Sequence, residues 1–203
     1  KNEIIEIAIQ SLGLSDITTF NKNEKIIENL IPSNKEELNN KNINDFIDIL
    51  SKGTPTPGGG SVSAMAGSLS MALTAMVSNL SFQKKELGKN KKQYIYIGEL
   101  CQKYKDKMLQ LVESDSRAYD KVIIAFRLAK KSTQDIKLRD KAIKNATINA
   151  ADIPLEILKL SVKCLQQIIN ILDISNPNSI TDLGVANYMA YSSAKGAYMN
   201  VLI

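Results

Sequence analysis

The chain contains no histidine, so any acid, base or metal ligand has to come from Asp, Glu, Lys, Tyr or Cys. Two places stand out for such chemistry. Asp115 interrupts an apolar seam in which Tyr94, Ile97, Cys101, Tyr104, Met108, Leu111, Ala118, Val122 and Ala125 recur at helical spacing. An isolated charge on a buried seam is costly, so this carboxylate must be paired, hydrogen-bonded or protonated. It is either a satisfied contact to a neighbouring helix end or a carboxyl of tuned pKa facing a cleft. The second place is Thr54-Pro55-Thr56-Pro57-Gly58-Gly59-Gly60-Ser61, which runs straight into a small-residue helical pattern. Prolines fix the backbone and glycines permit close approach. A loop of this kind at a helix start offers free N–H groups at the positive end of the helix dipole, which suits a carboxylate or a phosphate.

The helix behind that loop has an unusual charge pattern. From Gly53 to Gln83 no residue is charged, while the flanks are rich in Lys, Glu and Asp. Such a run is buried in protein, buried in lipid or shaped around a ligand. Ser63, Ser68, Ser70, Thr74, Ser78 and Asn79 would all need partners in a bilayer, so the central helix of a soluble bundle is expected and no membrane span. Gly60, Ala64, Ser68 and Ala72 recur every four residues and give one smooth face for close packing. After it, Lys84, Lys85, Lys89, Lys91 and Lys92 with Tyr94 and Tyr96 read as a solvated connection rather than an RNA-binding patch. The net charge of +5 is mild and fits an anionic small molecule as well as a polyanion. Nucleic acid and metal are not expected. Cys101 and Cys164 sit on apolar stripes and read as core thiols in a reducing, cytoplasmic setting.

The elements that must position these groups are all helical. With 203 residues, 44% hydrophobic and 23% charged, the chain can bury a sizeable core, and no stretch alternates as a strand does. An all-α, multi-helix up-and-down bundle is expected, with the small-residue helix buried. Helices are predicted over 2–12, closed by Gly13, and over about 22–30, before Pro32. Residues 33–41 read as a linker. Asn42 caps a helix stopped by Gly53, and the uncharged helix covers 61–81. A long helix spans about 90–129. Ser132 and Asp135 form a capping box for a helix running to Pro154. A further helix over about 154–172 is expected to bury Leu155, Leu158, Val162, Cys164, Leu165 and Ile169. After the Ser175–Ser179 loop, Thr181 caps a helix over about 181–203 with Asp182 in its first turn, where simple dipole complementarity accounts for it. That helix reaches Ile203 without a stop signal and the chain opens on Lys1, which predicts a piece of a longer protein.

The Pro55–Ser61 loop, Pro154-Leu155, Asp182-Leu183 and the terminal Gly196-Ala197-Tyr198-Met199-Asn200-Val201-Leu202-Ile203 together resemble the formiminotetrahydrofolate cyclodeaminase family, which includes methenyltetrahydrofolate cyclohydrolases. The resemblance covers about 42–203. Residues 2–32 are similar to the tail of a formiminotransferase domain, so residues 1–41 are expected to be that tail plus a linker, and 42–203 the cyclodeaminase domain of a bifunctional enzyme. Ser175 and Ala129 depart from the usual glycine and proline. The resemblance implies a homodimer or larger assembly, a polyglutamylated tetrahydrofolate derivative as substrate, and no cofactor. The implied reaction closes 5-formiminotetrahydrofolate to 5,10-methenyltetrahydrofolate with loss of ammonia, in histidine degradation. It also implies site residues: Asp182 as principal acid–base with Asp115 as its partner, and Pro57, Gly58, Gly59, Gly60, Ser61, Lys84, Lys85 and Asn176 around the substrate. The alternatives are a methenyltetrahydrofolate cyclohydrolase and, in another class, a non-catalytic helical oligomerisation module.

Overall fold

A computed structural model describes residues 2–16, 20, 25 and 37–202, which fall into two compact units, Lys1–Glu37 and Leu38–Ile203. In the first unit, helix α1 (Asn2–Ser11) ends on Gly13, whose φ of 62° is the left-handed angle that glycine adopts freely. Ile9 is buried as its spacing predicts, whereas Ala8 and Leu12 are exposed. The helix expected over 22–30 lies, apart from Lys25, outside the described residues.

The second unit is a bundle of α2 (Ile43–Leu50), α3 (Gly59–Gln83), α4 (Lys91–Phe126), α5 (Thr133–Leu172) and α6 (Ile180–Val201). Among the described residues there is no strand. Helix α3 packs against α4 on one side and α6 on the other, and α5 closes the ring between them. The core is built from Met71, Tyr94, Ile97, Met108, Leu111, Ile157, Ile171 and Leu183, all at or below 2% exposure. Several helix starts follow directly from the sequence. Asn42 Oδ1 accepts from the Asp45 N–H at 2.9 Å. Ser132 and Asp135 complete their reciprocal box at 3.0 and 3.1 Å.

Other elements depart from expectation. Helix α2 stops at Leu50: after the last α-helical bond, from the Ser51 N–H to the Ile47 carbonyl, the Lys52 N–H tightens onto the Ile49 carbonyl at 3.2 Å, before Gly53 is reached. Residues 33–36 of the expected linker lie outside the described residues, and the rest of it is folded onto the bundle. Leu38–Asn40 form a 3₁₀ turn, the Leu38 N–H donates to Glu113 Oε2 at 2.7 Å, and the Leu38 side chain packs on the core. Pro154 neither ends nor breaks its helix, since α5 runs unbroken for 40 residues with the proline buried inside it. An interior proline costs about 3 kcal/mol; here it lies on the face that buries Ile157, Leu160, Cys164, Ile168 and Ile171, and that packing offsets the lost hydrogen bond. The same register overturns part of the expected stripe: Val162 and Ile169 are 57% and 62% exposed.

Helix α3 shows why an uncharged helix suits this bundle. It is long and apolar enough to cross a membrane by length and composition, and 61% of its most apolar window is buried in the bundle. Its hydroxyls all have protein partners. Ser68 Oγ donates to the Lys105 carbonyl, Ser70 Oγ to Ala186 and Ser78 Oγ to Tyr94 on neighbouring helices. Ser63, Thr74 and Ser81 donate back to their own helix. Small side chains let the partners come close: a Cβ on Gly67 would stand 2.6 Å from Met108 Cε and 2.9 Å from Ser193 Oγ.

Candidate functional site

Helix α3 begins two residues earlier than expected, with Gly58 as N-cap and Gly59 and Gly60 inside its first turn. The Thr56–Pro57 peptide before it is cis and Pro57 is buried. Antiparallel to α3, helix α4 brings Asp115 onto this first turn. A Cβ on Gly60 would collide with all three carboxyl atoms of Asp115, so glycine is what allows that carboxylate to reach the helix end.

Ser61 is the hub of the site. Fully buried, its Oγ lies 3.0 Å from Asp115 Oδ2, from the Val112 carbonyl and from Ser116 Oγ. A hydroxyl has one hydrogen and two lone pairs, so Ser61 can donate to the carboxylate or to the carbonyl while accepting from Ser116. Once Asp115 is protonated, the carboxyl can donate instead. Burial pushes the Asp115 carboxyl above the usual aspartate range, and hydrogen bonds from the Ser61 side chain and backbone pull it part of the way back. The result is a partly exposed acid at the positive end of a helix, connected to two hydroxyls, which is what proton transfer without histidine requires.

This changes the expected part played by the loop amides. The N–H of Ser61 points at the protein's own Asp115, so the anion site at the start of α3 is occupied by a side chain of this chain. Thr56 Oγ1 donates to Asp120 Oδ1 at 3.0 Å, one turn along α4, and so ties the proline-glycine loop to the carboxylate helix. At the other flank, Asn200 lies against Gly59 and its Nδ2 donates to the Gly196 carbonyl at 2.8 Å. Sequence reasoning assigned no role to Ser116, Thr56, Asp120 or Asn200. Ser116 adjoins Asp115 in sequence and Asn200 belongs to the terminal motif; both could have been found there.

The remaining predicted residues lie elsewhere in the bundle. Asp182 sits in the first turn of α6, which starts at Ile180 with Ser179 as N-cap, so Thr181 is inside the helix rather than capping it. One turn further along α6, the Ala186 carbonyl accepts from Ser70 Oγ at 2.7 Å. Ser70 is ten residues from Gly60, so Asp115 and Asp182 are separated by about 20 Å along the bundle. Asn176 is more distant. Its N–H donates to Ser81 Oγ at 2.9 Å and its Oδ1 accepts from the Asn178 N–H, about 30 Å from Gly60 at 1.5 Å per residue. Lys84 caps the end of α3 and Lys85 follows it. One copy of the chain therefore brings Asp115 together with Pro57–Ser61, and gathers Lys84, Lys85 and Asn176 at the opposite end of α3, with Asp182 between. No group of three or more metal-ligating side chains forms among the described residues.

The bundle resembles known proteins in both sequence and shape. The family model described as formiminotransferase-cyclodeaminase matches residues 42–203. A methenyltetrahydrofolate cyclohydrolase of Methylorubrum extorquens is 29% identical over 164 residues, covering 81% of this chain and 79% of that protein. The formimidoyltransferase-cyclodeaminase of Gallus gallus is 29% identical over 202 residues, and that of Dictyostelium discoideum 28% over 202. Each of these alignments takes in 98% of this chain and spans only 37% of the longer relative. The crystal structure of formiminotetrahydrofolate cyclodeaminase from Thermotoga maritima has the same fold, with a TM-score of 0.72 at 24% identity over 82% of this chain and 79% of that one. A family match over residues 42–203 takes in the whole α2–α6 bundle, Asp115 and the glycine turn included, and the chain belongs to the formiminotransferase-cyclodeaminase family.

Proposed function

We propose that this chain closes 5-formiminotetrahydrofolate to 5,10-methenyltetrahydrofolate with release of ammonia, and that Asp115 is its acid–base. The family acts on folate derivatives, and the observation that carries the assignment of Asp115 is its part-buried carboxyl, raised in pKa, against Ser61 at the start of α3. In the reaction N10 attacks the carbon of the protonated formimino group and forms the new C–N bond, leaving an amino group on that carbon. The proton lost from N10 must then reach this departing nitrogen, whose C–N bond breaks to release ammonia and leave the methenyl cation. A carboxylate whose burial raises its proton affinity can take that proton and return it, and while ionised it stabilises the cation. Ser61 and Ser116 extend the path for the proton. In this reading Asp182, about 20 Å away along the same chain, complements the α6 dipole, and Asp115 takes the principal role.

One further feature supports the deaminase over the cyclohydrolase. Alignment with the formimidoyltransferase-cyclodeaminases takes in 98% of the chain, reaching in front of residue 42, whereas the cyclohydrolase alignment takes in 81%. The proposal therefore includes the wider setting: the cyclodeaminase part of a bifunctional, homo-oligomeric enzyme of histidine degradation in the cytoplasm, with polyglutamylated folate as substrate. The second reading, hydrolysis of the methenyl to the 10-formyl derivative, rests on the Methylorubrum extorquens relative.

The deciding experiment follows methenyl absorbance with each of the two substrates. Appearance of methenyl from the formimino substrate, lost by 10²–10⁴-fold in Asp115→Asn, is the expected result. Turnover only in the hydrolytic direction would assign the cyclohydrolase activity. No binding of any reduced folate by calorimetry would leave a helical oligomerisation module.

A further inference from the structure

A cleft of about 670 Å³ opens between α4 and α5, with lysines on both of its walls. Lys103 and Lys107 stand one turn apart on α4, and Lys159 and Lys163 one turn apart on α5. Like charges at this spacing repel each other. Two acids share the lining, and both are already engaged. Asp106 Oδ1 lies 3.2 Å from Lys105 Nζ, and Glu156 Oε1 lies 2.9 Å from Lys107 Nζ. Glu99, one turn before Lys103, lines a separate cavity beside Phe82. Lys103, Lys159 and Lys163 form no ion pair among the described residues.

The register of the two helices brings these three lysines together. The chain turns back between Phe126 and Thr133, so α5 runs antiparallel to α4, and the bond from Lys107 to Glu156 fixes how they align. Four residues back along α4 from Lys107 then matches four residues forward along α5 from Glu156. Lys103 is therefore level with Leu160, between Lys159 and Lys163, which stand about 6 Å apart along their helix. Three unpaired ammonium groups converge on one stretch of the cleft. Beneath them Leu160, a core residue, and Tyr104, which packs on the core, form an apolar floor. A surface that needs only solubility intersperses the two signs. Here the acids are taken, and three cations are left around one hollow.

The donor set selects the ligand. Arginine, whose planar fork pairs a carboxylate bidentately, is absent from the lining. Lysine is a mobile point charge, and three of them match a group that carries three or more negative charges on closely spaced oxygens. A single carboxylate would leave two of the three unpaired. We infer that the α4–α5 cleft is a binding site for an oligophosphate, whose linked phosphates rest on Lys103, Lys159 and Lys163. Free inorganic triphosphate and a nucleoside triphosphate present the same chemistry, and the base of the second would lie on Tyr104 and Leu160. The inference does not depend on the reaction proposed above, since Asp115 is eight residues beyond Lys107, about 12 Å along α4.

Calorimetry on the full chain, in phosphate-free buffer at about 0.15 M salt, tests it with sodium triphosphate, ATP and citrate as probes. Saturable binding of triphosphate and ATP is expected, with citrate about tenfold weaker or more. The triple variant Lys103→Gln, Lys159→Gln and Lys163→Gln should weaken both phosphate ligands by about tenfold or more. A matched control, Lys130→Gln with Lys131→Gln and Lys144→Gln, removes the same charge elsewhere on the α4–α5 hairpin and should leave binding unchanged. All six lysines are exposed, so both variants keep the fold, which circular dichroism checks. Tighter binding of ATP than of triphosphate, with the difference lost in Tyr104→Ala, supports the site with a nucleotide as its source. Equal binding of the two supports it with the inorganic anion. No saturable binding of either phosphate ligand overturns the inference. So does an equal loss in the two triple variants, or citrate bound as tightly as triphosphate.

Discussion

Gly60→Ala isolates the contact between the start of α3 and the carboxyl of Asp115. Placed in a helix, alanine is favoured over glycine by about 1 kcal/mol. Against that, the new methyl group would collide with all three carboxyl atoms of Asp115. The neighbour cannot simply swing aside, because Ser61 holds it at 3.0 Å from a hydroxyl that also touches Val112 and Ser116. Forcing a methyl group into such a position costs about 1–3 kcal/mol. The net expectation is therefore a loss of about 0–2 kcal/mol in stability. The effect on turnover is larger, because displacing an acid–base by about 1 Å costs on the order of 10²-fold. Denaturant unfolding and methenyl absorbance measure the two quantities. The double variant supplies the control. In an Asp115→Ala background the collision disappears, so the same Gly60→Ala change should stabilise by up to about 1 kcal/mol. A Gly60→Ala enzyme with unchanged kcat, or an equal effect on stability in both backgrounds, would refute the reasoning.

Three other predictions follow from burial. Asp115→Asn should stabilise the fold even as it abolishes turnover. Burial raises the Asp115 pKa in the folded state above its ordinary value, so its contribution to stability is full below the unfolded pKa and is lost as pH rises through the folded one. The Tm advantage of the variant should thus grow on going from acid towards neutral pH; an advantage that shrinks with rising pH would contradict it. Cys101 and Cys164 are buried, with thiols pushed up to about 12. At pH 8 roughly one thiol in 10⁴ is then ionised, so a thiol-reactive disulfide should label neither until urea unfolds the chain, and rapid labelling of the native protein would show the core to be open. Gly67→Ala, which drives a methyl group into Met108 and Ser193 where α4 and α6 meet α3, should lower stability by about 1–3 kcal/mol in a thermal melt; an unchanged Tm would mean that these helices separate at little cost.

The helices were legible because periodicity and caps are local. Asn42, and Ser132 with Asp135, announce their helix starts within four residues, and the structure places the caps there. Asp115 was legible as the polar break in an apolar seam. The buried register of α5 was not, because that helix carries two apolar stripes. The stripe through Val162 and Ile169 is the more hydrophobic to the eye, yet the buried one includes Ser161 and Gln167. Ser161 is tolerated there because it donates to the Ile157 carbonyl and meets Ser193 Oγ at 2.8 Å, a partner that lies 32 residues away and has no local signal. Pro154 was misread for a related reason: its local penalty is outweighed by contacts made by the rest of α5. The site divides in the same way. Motifs mark Asp182, Asn176 and Lys85 as readily as Gly60, but spacing along a chain says nothing of distance along an antiparallel bundle. The structure puts Asn176 beside Ser81, not beside Gly60.

The uncharged stretch has a single physical explanation once α3 is viewed from both sides. Its inner face must let α4 and α6 approach closely, so it carries glycine, alanine and hydroxyls that find carbonyl partners, and a long charged side chain there would be buried without compensation. Its first turn must leave room for a carboxylate, so the turn is glycine and the only charge near it belongs to α4. Its outer face carries Val62, Leu69, Met76 and Leu80, which are only partly exposed. Helix α3 is thus composed as an interior helix on the sides that meet α4 and α6, and the same requirement that keeps charge and bulk off its first turn leaves room there for Asp115.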